Sequence, residues 1–162
     1  MHDAAYRAME RVIAGESCPA ALVLDVGSLD VNGTYRPLVE GRGWRYVGLD
    51  MGMGLNVDVV AEPFRYPFAG GTFDMVLSGS TMEHVTAIWR WLPELARVLR
   101  PGGLLAIITH TAWEEHRHPV DCWRVMPDGM RYLFDCTGVL MNYEIEMINA
   151  TDIVGLAVKR EG

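Results

Sequence analysis

Short apolar runs alternate with amphipathic stretches along most of the chain. Residues 20–26 (AALVLDV), 44–50 (WRYVGLD), 56–62 (NVDVVAE), 73–79 (FDMVLSG) and 103–110 (GLLAIITH) have strand length and β-branched enrichment. They are nearly continuous in hydrophobicity, the pattern of parallel strands covered on both faces. Residues 139–149 and 152–160 predict a strand pair around a tight Ala150–Thr151 turn. Between these runs lie helical patterns. Residues 3–14 carry Tyr6, Met9 and Ile13 at helical spacing, and 34–41 have room for a short helix. Residues 86–99 place Ile88, Trp91, Leu92, Leu95, Val98 and Leu99 on one face, with Pro93 predicting a kink or a restart. The stretch RPGG at 100–103 ends that helix, and Pro127 begins a last one over 126–134.

Alternating strands and helices predict an open α/β sheet. In such sheets ligands bind beyond the carboxyl ends of the strands, where the strand order reverses. The loops after residues 26, 50, 62, 79 and 110 are therefore the places to look for chemistry.

Composition narrows the class. With 162 residues, half of them apolar, the expectation is one domain over 1–162 with a sizeable core. The formal net charge of -7 argues against a nucleic-acid partner, which calls for clustered Lys and Arg. Cys18, Cys122 and Cys136 are odd in number and widely spaced, a poor disulfide framework that suits a reducing compartment. The first fifteen residues lack signal-peptide character, and no apolar run nears the ~20 residues of a membrane helix. A cytoplasmic protein without a membrane partner is expected.

The stretch DVGSLDVNG at 25–33 follows the first strand, where a nucleotide-binding fold carries its glycine-rich loop. A dinucleotide fits it poorly. Leu29 stands where a second glycine is expected, and Asp25 and Asp30 place negative charge where a pyrophosphate would sit. A nicotinamide-dependent oxidoreductase is disfavoured on the same grounds. S-adenosylmethionine has no phosphate and carries an ammonium and a sulfonium, which an acid at a strand end suits. Asp50, ending the second strand, can accept from both ribose hydroxyls, and Glu62, after the third, from the adenine amino group. A lone acid at a strand end is usually a turn former or helix cap. For Glu62 both readings stay open; Asp25 and Asp50 together favour a ligand.

These pieces resemble the class I S-adenosylmethionine-dependent methyltransferases, and in particular their small ubiquinone-type branch. The matching segments are VLDVGS, VGLD, AEPFRYPF, FDMVLSGSTMEHV and LPELARVLRPGGLLAI, in family order over residues 20–110. The resemblance implies a Rossmann-like, seven-stranded, mostly parallel sheet with an antiparallel last strand and helices on both faces. It implies Asp25, Gly27 and Ser28 at the methionine end of the cofactor, and Asp50 and Met51 at ribose and adenine. Glu62 would face the adenine edge, and the backbone of Ser78 and Gly79 would pass the sulfonium, with Met82 and His84 nearby.

The segment at 110–134 holds three of the five histidines and follows the fifth strand. It is similar to a segment of some family members with a His-x-Pro-x-Asp-x-Trp-Arg core. Methyl transfer draws much of its rate from alignment. An oxygen acceptor gains further from an imidazole base. His118, His116 and His84 are the candidates. His118 ranks ahead of His116 because Pro119 biases it to an extended backbone. A metal reading of His110, His116, His118 and Asp121 matches no standard zinc spacing, so no metal is expected. Lid packing remains the plain reading for any one histidine. No Asn- or Asp-Pro-Pro-Tyr follows the fourth strand, which argues against amino methylation of nucleic-acid bases. The expectation is O-methylation of a small molecule or glycan, in a site that is open or closed by a partner subunit such as a second copy. The alternative is a non-catalytic S-adenosylmethionine-binding module or partner subunit.

Overall fold

The computed structural model describes residues 3–161. Seven strands form one sheet: β1 (Leu22–Val26), β2 (Arg45–Asp50), β3 (Val59–Val60), β4 (Phe73–Gly79), β5 (Leu99–His110), β6 (Leu140–Met147) and β7 (Asp152–Lys159). Their order is β3-β2-β1-β4-β5-β7-β6. The first five pair in parallel, and β7 runs antiparallel to both β5 and β6. This is the sheet expected from the sequence. The order reverses at β1–β4, so a crevice opens beyond their carboxyl ends.

Strand side chains alternate between the two faces. Val23, Met75, Leu77, Ala106 and Ile108 meet Ala5, Met9 and Ile13 of α1 (Asp3–Gly15) and Val39 of α2 (Arg36–Glu40). Leu24, Val76, Leu105 and Ile107 meet Trp91, Leu92 and Leu95 of α3 (Ile88–Val98) and Met130 and Phe134 of α4 (Pro127–Cys136). Each face thus buries a separate core. No described helix is long and apolar enough to cross a membrane.

Two local expectations are corrected. Pro93 lies inside α3 without splitting it into two helices. Pro93 is exposed, so the hydrogen bond it cannot donate falls on the solvent side of the helix. The third strand is two residues long rather than seven. Asn56 adopts φ +69° and Asp58 accepts from Gly48 N at 2.8 Å, so this stretch ties loops together instead of extending the sheet edge.

Candidate active site

A cavity of about 940 Å³ opens at the switch point, a volume suited to a small ligand. Its floor is the loop after β1. Gly27 has φ +81°, and a Cβ there would lie 1.9 Å from Thr81 Oγ1, so only glycine lets the loops after β1 and β4 approach. The loop after β1 is laced to the loop after β2. Gly27 N and Ser28 N donate to Leu49 O at 2.8 and 3.1 Å, and Asn56 Nδ2 donates to Ser28 O at 2.8 Å. Leu29, the departure from the glycine pattern, donates its N–H to Asp50 Oδ2 at 3.1 Å. Its side chain rests over Gly54, where a Cβ would be 2.3 Å away. Gly54 makes the room that the missing glycine does not.

Asp25 is buried and lines the cavity. Tyr46 of β2 donates to its Oδ2 at 2.5 Å, and Asn56 Nδ2 donates to the Tyr46 oxygen at 2.8 Å. Burial, opposed by that hydrogen bond and by Arg36, pushes the Asp25 carboxyl up to about 7. Asp50 lines the cavity and accepts from Leu29 N and from Gly52 N, the latter at 3.1 Å. Gly27, Ser28, Met51 and Gly79 also line it.

Three residues anticipated at the cofactor do not line this cavity. Glu62 is exposed, and the cavity wall beside it is formed by Ala61 and Pro63. Ser78 is fully buried below the cavity, its Oγ donating to Val26 O at 2.8 Å. Met82 is buried in the core that faces α3. Strand alternation explains Ser78, because the residue before the exposed end of β4 turns inward.

Tyr35 was not anticipated. It is 2% exposed, lines the cavity, and its hydroxyl has no hydrogen-bond partner. A Cβ on Gly79 would lie 2.2 Å from that hydroxyl, so Gly79 exists in the space that Tyr35 needs. The missing partner of a buried phenol aimed at a cavity is a signal only three-dimensional packing supplies.

The opposite wall is imidazole-rich. His84, His110, His116 and His118 all line the cavity. Ring centroids of His84 lie 5.0 Å from His116 and 5.6 Å from His118, and His110 lies 5.6 Å from His116. His110 is buried, with Nδ1 2.6 Å from Asp152 Oδ1 and its ring stacked on Trp113. His116 is half-buried and His118 exposed. The segment carrying them is pinned over the site. Cys122 N donates to Glu83 O at 2.7 Å, Trp123 Nε1 to Val85 O at 2.7 Å, and Val125 N to His110 O at 3.0 Å. Asp121 accepts from His116 N at 2.7 Å and from both Arg124 terminal nitrogens at 2.6 and 2.8 Å. The Arg124 guanidinium holds the Asp121 carboxyl far below the usual carboxylate range. The Asp-x-Trp-Arg core is therefore the fastening of the lid.

The crevice at the switch point thus has strand-end acids on one wall and an imidazole lid on the other. Comparison with known proteins gives the class. Residues 24–107, just over half of the chain, match the family model described as a methyltransferase domain. The chain belongs to this methyltransferase family, and its sheet is that of the class I S-adenosylmethionine-dependent enzymes. It is 34% identical over 115 residues to an uncharacterized methyltransferase of Mycolicibacterium gilvum, a match covering 64% of this chain and 44% of that one. A second, from Mycobacterium sp. strain KMS, is 37% identical over 111 residues, covering 62% and 43%. The chain thus spans less than half the length of these relatives. Among solved structures it is similar to the Burkholderia thailandensis 1,6-didemethyltoxoflavin-N1-methyltransferase with bound 1,6-didemethyltoxoflavin and S-adenosylhomocysteine. That likeness has a TM-score of 0.77 and 18% identity, over 98% of this chain and 80% of the other. An S-adenosylmethionine-dependent methyltransferase from Aquifex aeolicus gives 0.69 and 20%, over 93% and 89%. At such identities the likeness is one of fold.

Proposed function

We propose that this chain forms a single catalytic domain that transfers a methyl group from S-adenosylmethionine to a hydroxyl oxygen of a small molecule or glycan. The observation that carries the reading is the division of one cavity into two chemically distinct walls. On the first wall, Asp25 would face the cofactor ammonium and Asp50 the ribose hydroxyls. Gly27 and Gly79 would let backbone approach the methionine part, and Met51 would cover the adenine. The cofactor carries the reactive methyl; the chain's task is to hold it and exclude water.

On the second wall, four imidazoles converge where an acceptor would lie. A nitrogen acceptor with a free lone pair needs no base, whereas a hydroxyl gains from one. Such a concentration of imidazole supports an oxygen acceptor. The acceptor oxygen forms a bond to the methyl carbon, the S–CH3 pair of electrons stays on sulfur, and the hydroxyl proton is removed at the lid. His118, exposed at the cavity rim, and the neighbouring His116 are the groups on hand for that proton.

The test is incubation of the protein with labelled S-adenosylmethionine and separated pools of hydroxylated metabolites, oligosaccharides and amines. Label entering a hydroxyl pool is expected. His118→Ala should retain cofactor affinity while transfer falls by about 10²–10⁴. Label confined to amines would overturn the oxygen assignment. Tight cofactor binding with no pool labelled would favour a non-catalytic binding module.

A further inference from the structure

Behind the imidazole wall of the cavity a carboxylate oxygen lacks any hydrogen bond. Glu83 is fully buried, and its Oε2 accepts from Thr109 Oγ1 at 2.9 Å. Its Oε1 has no hydrogen-bond partner and lies 3.3 Å from His110 Nε2. A carboxylate oxygen buried in this state is stabilised by a cation, either the protonated His110 ring or a bound ion.

Two imidazoles beside it are fixed in the form a cation needs. His84 Nδ1 lies 2.7 Å from the carbonyl oxygen of Val120. A carbonyl only accepts, so Nδ1 carries a proton, and in the neutral ring the lone pair is on Nε2. His116 Nδ1 lies 3.0 Å from the carbonyl oxygen of Glu114 and 3.4 Å from Asp121 Oδ2, with the same result. Ligating histidines are held in this way, the remote nitrogen donating to a carbonyl or carboxylate. The donor atoms of Glu83, His84 and His116 lie within 4.8 Å of one another. In a tetrahedral site donors about 2.0–2.2 Å from a shared ion lie about 3.5 Å apart, so the widest pair must close by about an ångström. His116 sits on a segment without regular secondary structure, so no helix or strand has to move for that approach.

We propose that Glu83, His84 and His116 bind a divalent first-row transition metal, zinc foremost, which holds the acceptor oxygen. Two imidazole nitrogens and one carboxylate oxygen favour such an ion over magnesium or calcium. Three protein ligands leave a position open, as catalytic zinc sites do. Sequence spacing hid the set because Glu83 and His84 follow β4 while His116 comes from the lid after β5, and Glu83 is not a histidine-motif residue. His110, tied through Nδ1 to Asp152, is a positioning residue that backs Glu83.

The acceptor step rests on the methyltransferase reading; the metal site does not. A bound cation lowers the pKa of a coordinated hydroxyl. With His116 taken up by the ion, the hydroxyl proton leaves to His118, the oxygen attacks the methyl carbon, and the cofactor departs as a neutral thioether.

The experiment uses protein freed of metal with a chelator and titrated with cobalt(II), followed by visible absorption and calorimetry, then with zinc(II). One cobalt per chain, displaced by zinc, is expected, with affinity falling at least tenfold in His84→Ala and in His116→Ala. Glu83→Gln should do the same; should it fail to fold, His116→Ala on the half-buried lid carries the test. S-adenosylhomocysteine is titrated into the same samples. Absence of stoichiometric cobalt binding, or equal affinity in the parent and the His84→Ala, His116→Ala double variant, overturns the metal site, even with S-adenosylhomocysteine still bound. Cobalt binding that the variants lose, with no S-adenosylhomocysteine bound in any sample, upholds the metal site and overturns the cofactor reading instead.

Discussion

Tyr46 donates its phenol hydrogen to Asp25 Oδ2 at 2.5 Å, so the acid near the end of the first strand is held from the neighbouring strand while it faces the cavity. Burial pushes this carboxyl up to about 7, from 3.8. A carboxyl raised in this way contributes stability that is fully present below its unfolded value and is lost as pH rises through the folded one. The cofactor-free fold is therefore expected to lose this contribution between about pH 4 and about pH 7. A cofactor ammonium acts in the opposite sense, because it favours the carboxylate. S-adenosylhomocysteine affinity should rise from about pH 5.5 to about 7.5, with proton release on binding. Calorimetry in two buffers of different ionisation enthalpy measures that proton. Affinity independent of pH, with no proton released, would separate Asp25 from the ammonium.

Gly27→Ala places a Cβ 1.9 Å from Thr81 Oγ1 at φ +81°. The backbone conformation alone is unfavourable for alanine by about 1–3 kcal/mol, and the clash adds to it. Reduced stability in urea and weakened cofactor binding are expected together. A variant with parental stability and affinity would show that the loops after β1 and β4 are not packed as described.

Asp50→Ala removes a carboxylate that accepts from Leu29 N and Gly52 N at 3.1 Å each. If it also accepts from ribose hydroxyls, its removal loses about 1.5–3 kcal/mol of binding, at least tenfold in affinity. The variant should remain folded, since Asp50 is only half-buried at the cavity edge. Unchanged affinity in a folded variant would reduce Asp50 to a loop-bracing role.

Tyr35→Phe removes a buried hydroxyl that has no hydrogen-bond partner. Deleting an unsatisfied group leaves stability unchanged or raises it. If the hydroxyl serves the cofactor, affinity should fall about threefold to tenfold, the worth of one neutral hydrogen bond. Thermal denaturation with and without S-adenosylhomocysteine separates the two effects. A parental ligand-induced shift in melting temperature would mean that Tyr35 only fills space.

Local periodicity alone determined much of this molecule. The runs at 73–79 and 44–50 and the pair near the C-terminus read as strands because each is a short apolar segment bounded by turn residues. Asp25, Gly27 and Asp50 could be placed at the cavity because a strand's last residue and the loop after it lie at the sheet's carboxyl edge whatever the packing elsewhere. Which neighbours of Gly79 face the cavity was not legible. Ser78 and Met82 sit within a few residues of Gly79, yet only Gly79 lines the cavity. Glu62 lies beyond the early end of β3, and the late start of that strand follows side-chain bonds of Asn56 and Asp58 that strand propensity does not register.

The site's second half belongs to tertiary structure. His110 and Asp152 are 42 residues apart and become partners because β7 runs antiparallel to β5 with those two residues in register. Glu83, His84 and His116 meet because backbone and indole hydrogen bonds fold the lid onto the turn after β4. Tyr35 reaches the cavity because Gly79 leaves space for its ring. A sequence determines which segments bury an apolar face, since periodicity is a local property. It leaves to packing which buried polar atoms find partners and which are left facing a ligand, since that depends on pairings made between segments far apart in the chain.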